Sequence, residues 1–274
     1  MKKFWTFQAR SDGIGELYLY GEIADASWLG DEITPAQFAR ELDALGELRE
    51  LYVNIHSPGG DAFAGIAIYS ILQRCPAKKI VRIDGLAASA ASLIAMSGDV
   101  IQMPKSATMM IHNAWAHASG EAADLRKVAD ELDRLGGQMA EIYAWRTGVE
   151  MDAVRAMMDA ETWMSGEEAC AAGFADELVD GVQAAAGAGW DEALARYAHA
   201  PESLHKCGHV HAGDSPARDA VLADSMGIAP QNARGSQAPL TATPAGAARQ
   251  ANQAIREQRE WLWGMRKKVN GGNE

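Results

Sequence analysis

Apolar positions along the first 180 residues of the chain alternate between two periods. Glu16–Ile23 (ELYLYGEI) repeats every second residue and predicts a strand, and Leu51–His56 (LYVNIH) predicts another. Between them Phe38, Leu42 and Leu45 share one helical face. Thr34 stands as N-cap and Pro35 at the first helical position, so a helix is expected through Leu45. Ser57-Pro58-Gly59-Gly60 reads as a turn. A helix from about Asp61 to Arg74 follows and stops at Cys75-Pro76. Ile80–Ile83 predicts a third strand. Gly85 then permits a sharp turn, and Leu86–Met96 reads as a buried helix of Ala, Leu, Ile and Met. Val100–Met103 and Thr108–Ile111 are short strands around a Pro104-Lys105 turn.

The longest helical pattern is Gly120–Thr147. Its stripe runs Leu125, Val128, Leu132, Leu135, Met139, Ile142. Such a stripe either covers the core or pairs with another subunit, and Gly136-Gly137 inside it should weaken or bend the helix. Met151–Met158 predicts a short helix. Ser165 N-caps another, Glu168 completes a capping box, and Gly173 ends it. Phe174–Val179 reads as a last strand. Strands alternating with helices at these intervals predict an α/β fold with a mainly parallel sheet over residues 1–183.

Beyond that the composition changes. Ala, Gly, Pro, Ser and Thr dominate residues 184–248, which read as a linker or loosely ordered extension. Residues 249–274 read as a terminal helix, with Ile255, Leu262 and Met265 expected on one face and a basic end, Arg266-Lys267-Lys268. His205, Cys207, His209 and His211 are zinc-binding side chain types, but no second cluster supplies a spaced partner pair. An exposed polar loop is the simpler reading, and no metal or other cofactor is expected.

Composition narrows the function classes. The chain has 274 residues and a net charge of −12, which argues against binding nucleic acid through phosphate contacts. Its three cysteines, Cys75, Cys170 and Cys207, are far apart and odd in number, as expected of reduced thiols in the cytoplasm. The opening MKKFWTFQAR mimics a signal peptide until Gln8, Arg10 and Asp12 break it, so no secretion signal is expected. Apolar runs end before 18 residues, so no membrane span is expected either. No phosphate-binding Walker A loop is present.

Three polar residues stand where chemistry could occur. Ser89 lies near a strand-to-helix turn, beside free backbone N–H groups and the positive end of a helix dipole. His112 follows the apolar strand end Met109-Met110-Ile111, and Glu161 precedes the Ser165 cap. A serine, a histidine and an acid are the set for nucleophilic hydrolysis, and the glycine pair Gly59-Gly60 could cradle an oxyanion. Taken singly, each has a plainer explanation: a small-residue helix start, a structural histidine, a surface acid, a turn.

Five motifs in register change that balance. Asn54–Gly60, Gly65–Tyr69, Gly85–Ser89, Met110–Asn113 and Met164–Ala169 resemble the Clp peptidase pattern over about Gly15 to Asp180. Gly21-Glu22-Ile23, Gly60–Gly65, Ala88–Ser92 and Glu161-Thr162-Trp163 are closer to the Clp-like head maturation (prohead) proteases of tailed phages. The resemblance implies the Clp/crotonase-type spiral of repeated βαβ units with a long handle helix at Gly120–Thr147. It implies Ser89 as nucleophile, His112 as general base, and the N–H groups of Gly60 and Ala90 as oxyanion hole. It also implies ring-forming subunits acting on protein substrates. Where Clp peptidases carry Asp, the register puts Glu161, with Asp159 two residues earlier as the alternative acid. Asn113-Ala114-Trp115 departs from the usual Gln-Pro after the histidine. The implied function is an ATP-independent serine endopeptidase cutting scaffold or capsid proteins, its own chain among the candidates, in the infected cell or within the procapsid. A catalytically silent assembly protein and a crotonase-type acyl-CoA enzyme are the rival readings on the same fold.

Overall fold

A computed structural model describes residues 3–10, 13–24, 34–180, 191–201 and 204. The expected terminal helix at 249–274, the His205–His211 cluster and most of the 184–248 extension lie outside the described residues.

Among these residues eight strands form one mixed sheet in the order β1-β2-β3-β4-β5-β8, with β6 and β7 branching from β4. The strands are β1 (Trp5–Ala9), β2 (Ile14–Tyr20), β3 (Glu50–Ser57), β4 (Lys78–Ala88), β5 (Val100–Pro104), β6 (Thr108–Ile111), β7 (Thr162–Ser165) and β8 (Glu177–Val179). Only β1 with β2 and β6 with β7 pair antiparallel. The helices are α1 (Pro35–Asp43), α2 (Ala62–Arg74), α3 (Ala90–Ala95), α4 (Ala122–Thr147), α5 (Met151–Asp159), α6 (Gly166–Ala171) and the single turn α7 (Asp191–Leu194). Thr34 caps α1 and Ser165 with Glu168 forms the capping box of α6, each through the expected side chain, and Asp61, where a helix was expected to begin, is the N-cap of α2. No described helix is long and apolar enough to cross a membrane. The mixed α/β sheet with its long helix is the architecture expected from the resemblance.

Strand β4 organises the sheet because it is longer than its alternation suggests. Its first half pairs with β5 (Ile80↔Val100) and its second half with β6 (Ala87↔Met109). Leu86, Ala87 and Ala88 are therefore strand, not the start of a helix. A short buried apolar run carries no period that separates the two, and here the β6 ladder decides. Gly85 is not a turn; it lies within β4, where pairing with β3 slips between Ile55 and Ser57. The consequence is that strand passes into helix at Ser89 alone.

Strand β1 was hidden by the signal-like start. Trp5 is buried and meets Phe38 of α1 edge-on at 5.7 Å, so the aromatic run closes the sheet edge. Phe174 is buried but lies in the turn before β8, not in the strand.

Helix α4 runs unbroken through Gly136-Gly137. Its C-terminal half is buried through Leu135, Met139, Ala140 and Tyr143, whereas Leu125 on its first half is exposed. The stripe thus covers the core along only part of its length. Near its end the Arg146 guanidinium is paired with Asp176, whose carboxylate also accepts from Ile101 N–H at 2.8 Å. Arg146 is only 1% exposed, so removing the Asp176 carboxylate takes an acidic partner from a cation held in the core. Asp176→Ala should cost about 3 kcal/mol, lowering the melting temperature by roughly 6–12 °C in a calorimetric scan.

Candidate active site

The site forms where three strands end. Strand β4 stops at Ala88 and α3 starts at Ala90, which leaves Ser89 alone in the junction at φ 54° and ψ −124°. A serine at positive φ is held there by its surroundings. Ser89 N–H donates to Met110 O at 2.9 Å, and Ser89 O accepts from Ser92 N–H at 2.9 Å and from Ser92 Oγ at 2.7 Å. With both backbone groups fixed, the hydroxyl is the part left to project. Ser92 Oγ in turn meets the buried Tyr143 Oη of α4 at 2.8 Å.

His112 lies just past β6. Its Nε2 is 2.7 Å from Ser89 Oγ, and both residues are 8% exposed. A single chain therefore brings the two together without a second copy. Burial pushes the His112 pKa below its ordinary 6.5, and the nearby charge of Glu161 partly offsets this. The imidazole is thus neutral at pH 7, able to take a proton from the hydroxyl.

Gly59 and Gly60 end the β3 side at φ +94° and +143°. Ile23 N–H donates to Gly59 O, and Asp61 N–H donates to Ile23 O, so the loop is clamped to the segment after β2. Gly60 N–H takes no part in that clamp. Ala90 opens α3, so its N–H has no acceptor within the helix. A Cβ on Gly59 would lie 2.8 Å from Ser89 Cβ, which shows how closely this loop approaches the serine.

The acids are less simply arranged. Asp159 accepts from Asn113 Nδ2 at 2.7 Å. Glu161, at φ 48°, accepts from Trp163 Nε1 at 3.1 Å, Ala198 N–H at 2.9 Å and His199 N–H at 2.7 Å. Among the described residues neither carboxylate hydrogen-bonds His112, although the charge of Glu161 reaches it. Burial pushes the Glu161 carboxyl up, but the hydrogen bonds from His199, Trp163 and Ala198 outweigh it and hold the pKa low.

Around Ser89 lies a cleft of ≈ 460 Å³, bounded by Ile23, Phe63, Trp115, Leu135 and Tyr197 among others. Tyr197 and the 191–201 segment were not anticipated at the site. The available signal was Leu194, Tyr197 and Leu204, three large apolar residues in an otherwise small-residue stretch. Among the described residues no group of His, Cys, Asp and Glu is arranged to hold a metal.

Comparison with known proteins agrees with this geometry. The sequence profile of the Clp protease family matches residues 29–182, which include Ser89, His112 and both acids. The chain is 32% identical over 141 residues to an ATP-dependent Clp protease proteolytic subunit of Bacteroides fragilis, covering 50% of this chain and 68% of that one. It is 34% identical over 140 residues to the subunit of the same name from Pleurastrum terricola, covering 49% and 70%. Against ATP-dependent Clp protease proteolytic subunit 1 of Leifsonia xyli subsp. xyli it is 31% identical over 170 residues, covering 59% and 86%. A match over more than half the length, centred on a serine poised against a neutral imidazole, makes this chain a member of the Clp protease family and a serine peptidase.

Proposed function

We propose that the chain is a serine endopeptidase in which Ser89 attacks the scissile carbonyl and His112 takes the hydroxyl proton, returning it to the leaving amine. The N–H groups of Gly60 and Ala90 receive the oxyanion, and Glu161 orients the imidazolium. The observation that supports this best is the 2.7 Å contact between His112 Nε2 and Ser89 Oγ at a strained strand-to-helix turn. No bound metal or nucleotide enters these steps. The relatives are named ATP-dependent, but this sequence has no Walker A loop, so any unfolding work would fall to a partner.

The substrates are scaffold or capsid proteins of a tailed phage, cut during head maturation in the cytoplasm or the procapsid. Support for this comes from the motifs around Gly60, Ser89 and Trp163. The exposed first half of α4 suits a subunit contact within a ring. A fluorophosphonate probe followed by peptide mapping tests the catalytic part. An adduct on Ser89, lost in Ser89→Ala and His112→Ala, is expected. No adduct in any assembled form would transfer the function to assembly alone. Co-expression with the phage's scaffold and capsid proteins tests the substrate, since cleavage should vanish with Ser89→Ala.

The acid can be assigned by pH. His112 must be neutral to work, and its pKa lies below 6.5, so kcat/KM should be flat at neutral pH and fall as pH drops through that lower value. Glu161→Gln removes a charge that raises the His112 pKa, so the falling limb should move to still lower pH. Asp159→Asn should leave the limb in place. The reverse pattern would give the role to Asp159.

A further inference from the structure

We propose that residues 191–201 are an intramolecular inhibitor, docked along one wall of the cleft so that they narrow the approach to Ser89 and hold Glu161 away from His112. This rests on the serine-peptidase reading above. The segment lies beyond residue 182, where the match to the family ends, so it is an addition to the shared catalytic body.

Its attachment is specific at three points. Leu194 is 1% exposed and packs with Leu86, Ala88 and Met110, the strand residues flanking the nucleophile, and Tyr197 packs beside them against Trp163. The Tyr197 ring meets His112 edge-on at 5.1 Å. Its hydroxyl donates to Pro58 O at 2.5 Å, in the turn that faces Ser89. At one rim Arg196 pairs with Glu22. At the other, both oxygens of Glu161 are taken by backbone N–H groups of the segment, Oε2 by Ala198 and Oε1 by His199.

This last contact distinguishes inhibition from simple packing. A carboxylate that orients a catalytic imidazole must hydrogen-bond its N–H. Here two amides from 37 and 38 residues away, with Trp163 Nε1, fix that carboxylate where it makes no hydrogen bond to His112, and its charge alone reaches the ring. Nor is the segment presented as a substrate through Tyr197, because a phenol offers Ser89 no acyl carbon. Undocking would widen the cleft and release Glu161 to turn to His112. A segment docked nine-tenths of the time would lower apparent activity about tenfold.

The test uses the full chain. In Leu194→Asp/Tyr197→Ala, fluorophosphonate labelling of Ser89 and hydrolysis of a short fluorogenic peptide should both rise at least about tenfold. Ala198→Pro removes one of the two amides on Glu161 at an exposed position and should raise both rates by a smaller factor, which guards against misfolding of the double variant. A synthetic peptide of residues 191–201 should then inhibit the double variant competitively, an effect that a bracing role would not produce. Folded variants whose Ser89 labels no faster than wild type overturn the inhibitor and leave the peptidase standing. Absence of Ser89 labelling in wild type and variants alike overturns both.

Discussion

Ser89→Ala should lower kcat/KM for peptide hydrolysis by roughly 10⁴–10⁶-fold, leaving the small rate that substrate positioning and oxyanion donors sustain without a nucleophile. The fold should not suffer. Alanine keeps the Cβ, so the conformation at φ 54° is no more strained than before, and the backbone bonds to Met110 and Ser92 do not involve the lost hydroxyl. Stability should stay within about 0.5 kcal/mol of wild type. Ser89→Gly separates the two effects. It should be equally inactive but more stable by about 1 kcal/mol, because glycine occupies positive φ without penalty. Steady-state hydrolysis and thermal melts of the three proteins, side by side, check both halves. Hydrolysis that survives Ser89→Ala in a homogeneous preparation would remove Ser89 from the chemistry.

Gly60→Ala should be the most damaging glycine-to-alanine change among the described residues. The added Cβ would stand 2.0 Å from Ile23 O, at φ +143°. That carbonyl cannot retreat, because it accepts Asp61 N–H while Ile23 N–H donates to Gly59 O. The loop must open, which disturbs the Asp61 cap of α2 and moves the Gly60 amide. A loss of about 3 kcal/mol or more is expected from the combined clash and strain. Displacing the Gly60 amide, proposed above as an oxyanion donor, should add a roughly 10²–10³-fold fall in kcat among the molecules that still fold. Gly137→Ala is the matched control. Nothing lies within 4 Å of its Cβ, and it sits inside α4, so it should stabilise the chain by up to about 1 kcal/mol. Wild-type melting and activity in Gly60→Ala would refute the clamp.

The parts of this structure that were legible in the sequence are those fixed by local chemistry. Thr34 and Ser165 each announce a helix start, and each accepts the expected backbone N–H. Ser89 and His112 were legible as residue types in suitable places; their contact depends on β4 pairing with β6, which no local pattern encodes. The same pairing explains the error at Leu86–Ala88, where tertiary context overrode an alanine-rich run. Strand β7 was missed because it is four residues long and exists only as the antiparallel partner of β6. The destination of Glu161 was illegible for a different reason. Its partners are main-chain amides of residues 198 and 199, and backbone donors leave no mark on sequence.

The Ser92–Tyr143 hydroxyl pair gives the long helix a second role. It connects the carbonyl of the strained serine to the buried half of α4, a rod about 39 Å long by its 26 residues. The other half stands exposed, where a neighbour can grip it. The helix is therefore a lever whose short arm ends on the backbone of Ser89. Linkage requires such a lever to work in both directions. A neighbour that shifted the exposed arm on binding would also shift Ser89, and an acyl group or inhibitor on Ser89 would then alter, by the same free energy, how tightly that arm is held.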